Sequence, residues 1–513
     1  MRINSNNFFV LIFLFSANVK GQFYCLPNEF TFGTFTEKIL SAKDLTIHSS
    51  VKPYIHFFSK KYIAAQDSHR IYKYIKNDPG VETAFYNHLL RIESKEDNYR
   101  LRVDPIINFE AGRDFSDTVL NRHYVNTRGV IASGYIGNNF YIETMFAENQ
   151  AIFPVYIATQ NNASKVIPGQ GLWKQFKVQG FDYAFSAGFI SIQASKNFNI
   201  QLGHGKQKIG NGYRSLLLSD NAFNYPYVRF THQWLKGKLQ YQSIYSVLSN
   251  LAPASEIRSI YTERLYQKKA ASFQYLSLNP HKSINLGFFQ GMIWQAGDRR
   301  NVHELTWQYF NPIIYTNLVA NELIKPNGIN KNARYLTGLD LKIKLHNKLN
   351  LYGQLVRDHL VAPNISPNGY QIGVNYFDAF RINNLFLQVE YNDVKANTYL
   401  SKTSSITPTY NHFNQNIAYT PGNGKELVVI GDYKFKRLFF NLKYNYQEII
   451  GSSFVNLINV KFGFVINPSY NFNIAIGYCN RNQNFYTFKT LNNKTDYIYV
   501  GLRTSLYNLF YDF

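Results

Sequence analysis

From residue 99 to the end, the chain repeats one pattern. Segments of about ten residues alternate apolar and polar side chains, and turns rich in Asn, Gly, Pro and Lys separate them. A period of two is that of a β-strand with one face in each of two environments. Leu339, Leu341, Ile343 and Leu345 oppose Asp340, Lys342 and Lys344, and after a turn at His346 to Lys348 the apolar face resumes at Leu349, Leu351 and Leu355. The same grammar recurs at Leu385 to Asn392, Leu438 to Gln447, Ile458 to Phe464, Phe472 to Tyr478 and Tyr497 to Leu506. Beyond residue 21 no apolar run approaches the roughly 20 residues a bilayer-crossing helix needs, so a membrane role requires a closed barrel of strands.

A water-soluble sandwich would alternate too, so the direction of the apolar face needs an argument. The strands follow one another as hairpins, and their apolar faces end in Tyr or Phe, as a girdle at a lipid–water interface would. Tyr507, Leu509, Tyr511 and Phe513 continue the alternation to the last residue, resembling the terminal aromatic strand signal of bacterial outer-membrane barrels. The expected fold is therefore an all-β, antiparallel transmembrane barrel of about 18 strands, with 16 to 20 tolerated. A barrel of that width cannot be filled by its own side chains and must hold water, loops or a plug.

Ahead of the barrel, Arg2 precedes an apolar stretch from Phe8 to Phe15 and then polar and small residues to Gly21, the pattern of a signal peptide cleaved near Gly21/Gln22. Tyr24 stands where a lipoprotein would carry a small residue before Cys25, which argues against lipid anchoring. The expected division is 1–21 signal peptide, 22–98 periplasmic or plug region, and 99–513 barrel, placing the protein in the bacterial outer membrane. Within 22–98, Pro79 to Ile92 reads as a helix with Asp78 as N-cap and Val81, Phe85, Leu89 and Ile92 on one face.

Composition narrows the partner. Tyr and Phe number 40 and 42, charged residues are only 17%, and the chain is not of a disordered kind. Lys and Arg number 54 against 32 acids, and loss of Arg2 and Lys20 with the leader takes the formal charge from +22 to +20. An exported polycation meets anionic polysaccharide, lipopolysaccharide or membrane lipid, and not nucleic acid. Two cysteines, Cys25 and Cys479, exclude a disulfide scaffold and leave a single pair or two free thiols.

The most distinctive stretch outside the strands is GHGKQKIGNGYRSLLLSDNAFNYPYVRF, residues 203–230. Gln207 follows Lys206 where a P-loop needs Ser or Thr, so a nucleotide cradle is rejected. Two compatible readings remain. One is a glycine-rich loop folded over or into the barrel mouth; the other is a glycan site in which Lys206, Lys208 and Arg214 pair with acidic groups, with Tyr213, Asp220, Asn221 and Tyr225 beside them. No Gly-x-Ser-x-Gly elbow or HExxH occurs, His204, His232, His303 and His412 are scattered, and Glu390 with Asp358 is the one carboxylate pair worth naming. No catalytic residue, metal site or cofactor is expected.

With these residues in view, the sequence resembles the Bacteroidetes outer-membrane family of capsule-assembly (Wzi-like) and RemB-like gliding-motility proteins. The resemblance rests on Gly212, Tyr213, Arg214, Ser219, Asp220, Asn221 and Pro226. Weaker support comes from Glu304, Asn311 and Pro312; from Tyr352, Gln354 and Asp358; from Gln371, Gly373 and Asp378; and from Glu390, Asn392, Thr398, Tyr399, His412, Asn414 and Gln415. Lys395 to Asn397 and Ile417 to Tyr419 stand where the family carries Arg-Pro-Tyr and Leu-Ala-His. The resemblance implies a non-enzymatic barrel that binds or anchors acidic surface polysaccharide in capsule assembly. It also leaves room for a gliding or adhesion component working through surface-machinery proteins. The lysines at inward positions, Lys342, Lys344, Lys443 and Lys461, add a third possibility, an anion-favouring channel.

Overall fold

The computed structural model describes residues 30–42, 46–54, 85–94, 96–137, 139–253, 266–295, 310–316, 318–319, 333–359, 368–399, 409–486 and 492–513. Eighteen antiparallel strands close into one barrel. They are β1 (Tyr99–Asp114), β2 (His123–Ile136), β3 (Phe140–Ile152), β4 (Gly180–Ser195), β5 (Phe198–Gly205), β6 (Tyr225–Trp234), β7 (Leu239–Pro253), β8 (Tyr266–His281) and β9 (Ile284–Gln295). The second half comprises β10 (Ala333–His346), β11 (Leu349–Asp358), β12 (Asn368–Phe377), β13 (Leu385–Val394), β14 (Gly424–Phe435), β15 (Leu438–Ile449), β16 (Ser453–Asn467), β17 (Phe472–Phe485) and β18 (Asn492–Thr504). β18 closes the sheet on β1 from Tyr497↔Asp114 to Arg503↔Asn108. No helix among the described residues is long and apolar enough to cross a membrane.

The two faces sort as the alternation requires. On β10, Leu339, Leu341 and Leu345 are exposed to the outside, whereas Asp340, Lys342 and Lys344 are buried in the lumen. On β16 and β17, Phe462, Phe464, Ile474 and Ile476 face outward too. An exposed band of Leu, Ile, Val and Phe around a polar interior is stable only where the surroundings are hydrocarbon. Connections on one rim are short, such as 196–197, 282–283, 347–348 and 436–437, while those on the other include 153–179, 206–224, 296–332 and 395–423. Outer-membrane barrels place short turns in the periplasm and long loops outside, which orients the molecule.

Among the described residues, three segments besides the C-terminal tail enter the lumen. Helix α1 (Phe30–Leu40) is held at the periplasmic end by Lys38, whose ammonium reaches Asp378 at 2.8 Å, and by Phe32 against the Phe439 ring at 5.4 Å. Residues 46–54 follow; Val51 and Lys52 pair with Ile209 and Lys208, and the Ser50 hydroxyl donates to Asp340 at 2.7 Å. The third segment, 206–224, descends from the extracellular side and buries Leu216, Leu217 and Leu218 in the main apolar cluster of the lumen. The Leu217 side chain occupies the space over Gly338 of β10 where any larger residue would put its Cβ.

Two expectations are corrected. The C-terminal aromatics do not form a lipid-facing strand: β18 ends at Thr504, and 505–513 turns into the barrel. There Tyr507 stacks on Phe185, Tyr511 meets Phe153 edge to face and Phe513 packs at a tilt on Tyr156, and the Arg481 guanidinium donates to the Phe513 main-chain oxygen at 2.8 Å. An extended tail packed on an aromatic wall alternates just as a strand does, so the pattern alone could not separate the two. The expected helix at 79–92 fails at its C-terminal half, since Leu90–Ser94 is a strand pairing with β1 from Leu90↔Val103 to Ser94↔Tyr99. It takes up β1's free edge where β18 has stopped, ahead of the expected boundary at residue 99, and Asn98 turns the chain at φ 51°. Residues 79–84, the leader and Cys25 lie outside the described residues; Cys479 is a buried free thiol.

Candidate functional site

All seven residues singled out in the glycine-rich stretch are brought together, and all seven are buried: Lys206, Lys208, Tyr213, Arg214, Asp220, Asn221 and Tyr225. Arg214 is the hub. Its guanidinium lies 2.8 Å from Glu426 of β14 and 3.2 Å from Asp512 of the C-terminal tail, and its backbone amide donates to Glu390 of β13 at 3.0 Å. Tyr213 donates its amide to Glu390 at 2.6 Å and its hydroxyl to Asp512, and Lys443 of β15 lies 3.2 Å from Asp512. Burial by itself lowers the Arg214 pKa, but Asp512 and Glu426 more than restore it; burial raises that of Asp512, but Arg214 and Lys443 hold it below the usual carboxylate range. Breaking one member of such a buried set costs about 3–5 kcal/mol, because the partner charge is left unmatched.

The other basic groups are likewise turned inward. The Lys208 ammonium donates to the Gly212 and Tyr213 carbonyls at 3.0 and 3.1 Å and sits 5.5 Å from the centre of the Phe30 ring. Lys206 lies 5.1 Å from the centre of the Phe510 ring. Burial pushes both ammonium groups down to about 8, with Asp220 pulling the other way. The Asn221 amide donates to the Asn416 carbonyl at 2.8 Å, and Asn508 reaches Asp220 at 3.3 Å. This stretch is thus the plug of the barrel, and its charges fasten it in place.

The residues of the weaker matches are the wall that grips the plug. Gln354 accepts from the Leu216 amide at 2.8 Å, Gln371 donates to the Arg214 carbonyl at 3.2 Å, and the Tyr352 hydroxyl donates to Glu390 at 2.8 Å. Asp358 accepts from the Tyr399 amide at 3.1 Å and faces Arg334 at 3.5 Å, so Glu390 and Asp358 serve different donors rather than one substrate. Above the plug, residues 395–399 and 409–423 form a lid. Tyr399 and Tyr410 donate their hydroxyls to the Leu216 and Leu217 carbonyls at 2.7 and 2.8 Å, and the Ser219 amide donates to the Ile417 carbonyl at 2.7 Å. Ile417 to Tyr419 of the lid, where the sequence departs from the family pattern, are wholly buried.

The surface open to a ligand lies on the loop side and uses residues the sequence reading passed over. Helix α2 (Val155–Ser164) ends in Lys165, which lies 6.0 Å from the centre of the Trp173 ring in the hairpin strand Gly171–Phe176. Lys165, Lys174 and Lys177 are exposed there, and Trp173 is held by its indole donating to the Asn161 carbonyl at 3.0 Å. Where the lid meets the plug, Phe223 of the plug and Phe413 of the lid stack at 5.5 Å with 10° between planes, and His412 stacks on Phe413 at 4.4 Å. An aromatic shelf next to a set of exposed ammonium groups can take the face of a sugar ring and its acidic substituent. The signal in the sequence was the run LWKQFK, which interleaves Trp and Phe with Lys without the strand alternation. Among the described residues no group of three His, Cys, Asp or Glu side chains is placed to hold a metal ion.

No protein-family model and no curated protein sequence matches this chain. Among solved structures it is similar to Wzi of Escherichia coli, an outer membrane protein involved in group 1 capsule assembly and described as a carbohydrate-binding β-barrel. The TM-score is 0.54 at 12% identity, covering 94% of this chain and 100% of that one. Pseudomonas aeruginosa OpdK with vanillate gives a TM-score of 0.44 at 11% identity, over 78% of this chain and 98% of that one. Acinetobacter baumannii OccAB3 gives 0.42 at 10%, over 79% and 98%. At such identities the likeness to Wzi is one of fold, that of a closed outer-membrane barrel.

Proposed function

We propose that this chain binds acidic polysaccharide at the bacterial surface and anchors it to the outer membrane, with a lumen that does not conduct. The observation that carries the reading is the opposite disposal of two sets of cations. Those of the plug are buried and held by the protein's own groups, Arg214 by Glu426 and Asp512, Lys208 by the Gly212 and Tyr213 carbonyls and Lys206 against the Phe510 ring. Lys165, Lys174 and Lys177, by contrast, are exposed and stand free of ion pairs among the described residues, beside Trp173 on the loop side. The full-length likeness to a barrel described as carbohydrate-binding agrees with it.

The test is binding of the full-length protein to immobilised polygalacturonate, with dextran as the uncharged control, across a salt series. Replacing Lys165, Lys174 and Lys177 together by Gln is expected to weaken binding about tenfold, at roughly 0.5 kcal/mol per exposed ion pair, and to flatten the salt dependence. Binding to polygalacturonate that is indifferent both to salt and to these three changes would refute the reading. Deletion of the gene, with capsule retention and surface spreading scored separately, tests the biological side. Loss of capsule with normal spreading is expected; loss of spreading alone would replace anchoring by a gliding or adhesion role through protein partners.

A further inference from the structure

We propose that the outer wall of β10–β12 carries a built site for a phosphorylated lipid of the outer leaflet. The outward residues of these strands form two rows in register. In the lower row Leu339 pairs across to Leu355 and Leu355 to Tyr370; in the next row towards the loops Thr337 pairs to Arg357 and Arg357 to Asn368. Two residues along a strand is about 6.5 Å, so the wall passes from Leu and Tyr to a guanidinium within one step. That step is the boundary between hydrocarbon and headgroup, which aromatic and basic side chains mark on barrels. Arg357 is exposed and has no ion-pair partner among the described residues, while Lys395, the next cation on this rim, is 58% exposed and shares Asp393 at 3.3 Å.

A bare wall would be coated by any lipid, but this one has a second side. Residues 310–316, 318 and 319 lie along the outside of β7–β9. The Tyr245 hydroxyl donates to the Phe310 carbonyl at 3.0 Å, Gln274 donates to the Asn311 carbonyl at 2.5 Å, and the Tyr315 amide donates to Gln290 at 2.6 Å. Gln274 and Gln290 are outward residues that hydrocarbon would leave unsatisfied, so this segment is fixed where it is by the wall's own polar patch. Its far side shows Phe310, Ile313 and Val319 to the lipid. Between this segment and β10–β12 runs a groove of about 510 Å³, with Tyr315 and Leu318 on one side, Leu339, Leu355 and Tyr370 on the floor, and Arg357 at the upper end. The shape takes an acyl chain along the floor and brings an attached phosphate to Arg357 and Lys395, where ionic hydrogen bonds are strongest.

The experiment is a titration of delipidated full-length protein in non-ionic detergent with diphosphoryl lipid A, followed by native mass spectrometry. The wild type is expected to retain the lipid in a defined stoichiometry, and Arg357→Gln to bind about fivefold more weakly, the effect of one cation at a membrane surface. Phosphatidylcholine is expected to bind no more tightly to the wild type than to Arg357→Gln. Heat-modifiable mobility on a gel verifies that the variant folds, which an exposed polar exchange at the rim should permit. Equal affinity of wild type and Arg357→Gln for lipid A overturns the proposal, and so does displacement of the lipid by equimolar inorganic phosphate, which would mark a free-anion site. The site shares no residue with the glycan surface, so failure of either reading leaves the other standing.

Discussion

The proton of His412 is placed by its neighbours. The Ser249 amide donates to Nδ1 at 3.0 Å, so Nδ1 offers a lone pair, and the hydrogen sits on Nε2, which donates to the Asn224 carbonyl at 3.1 Å. One imidazole therefore ties the lid to the top of β7 and to the plug. Burial among Phe223, Tyr225 and Phe413 pushes its pKa down to about 3, opposed by the Asn224 carbonyl and assisted by Lys269, His204 and Lys268. A proton is bound at ordinary histidine pH only when the lid is open, so closure is fully stable above pH 6.5 and weakens as pH falls from 6.5 towards 3. Amide exchange at 409–419 should show the opening equilibrium rising on the order of 50–100-fold between pH 7 and 4.5, after correction for intrinsic exchange. His412→Gln should abolish the pH dependence; a flat wild-type profile would remove His412 from the closure.

At the scale of a strand, β10 states the rule of the wall: Leu341 faces lipid while its neighbour Lys342 donates to the Ser41 and Ser49 hydroxyls at 3.2 and 2.9 Å inside. Leu341→Arg, within the outward apolar row between the Arg357 boundary and the periplasmic turn, should destabilise the barrel by about 2–4 kcal/mol, read from urea unfolding in phospholipid vesicles. A change under about 0.5 kcal/mol would mean that the face is not in hydrocarbon. Because the two faces meet different solvents, the strands were legible: about 18 were expected and 18 close the barrel. The turn at 346–348 and the inward lysines Lys342, Lys344 and Lys443 follow from the same alternation. The plug was legible as a loop in or over the mouth, but the inward aim of its cations was not. Arg214 finds Glu426 and Asp512 across 212 and 298 residues of sequence, a separation that no local pattern encodes. The tail 507–513 misled because a packed extended segment and a strand share one period.

For the whole molecule, the question is whether plug, lid and both terminal segments act as one stopper. They share atoms: Glu390 accepts from the plug amides, Asp512 of the tail joins Arg214, and Phe30 of α1 packs on Tyr213 at 4.5 Å. A weakness at that junction should loosen all of them together, and Gly212 is the junction. A Cβ there would collide with the Glu390 carboxylate and come within 2.8 Å of the Gln371 side chain, both fixed in the barrel wall. Retreat would break their bonds, since each is buried, with Glu390 accepting from the Tyr352 hydroxyl of β11 and Gln371 donating to Asn392 of β13. Wild-type protein in planar bilayers is therefore expected to stay silent, and Gly212→Ala to give discrete openings. The lysines of the lumen, Lys443 and Lys461 among them, should make those openings favour anions. Steady conductance from the wild type would instead make the barrel a channel, and silence from Gly212→Ala would show that the stopper holds without its central contact.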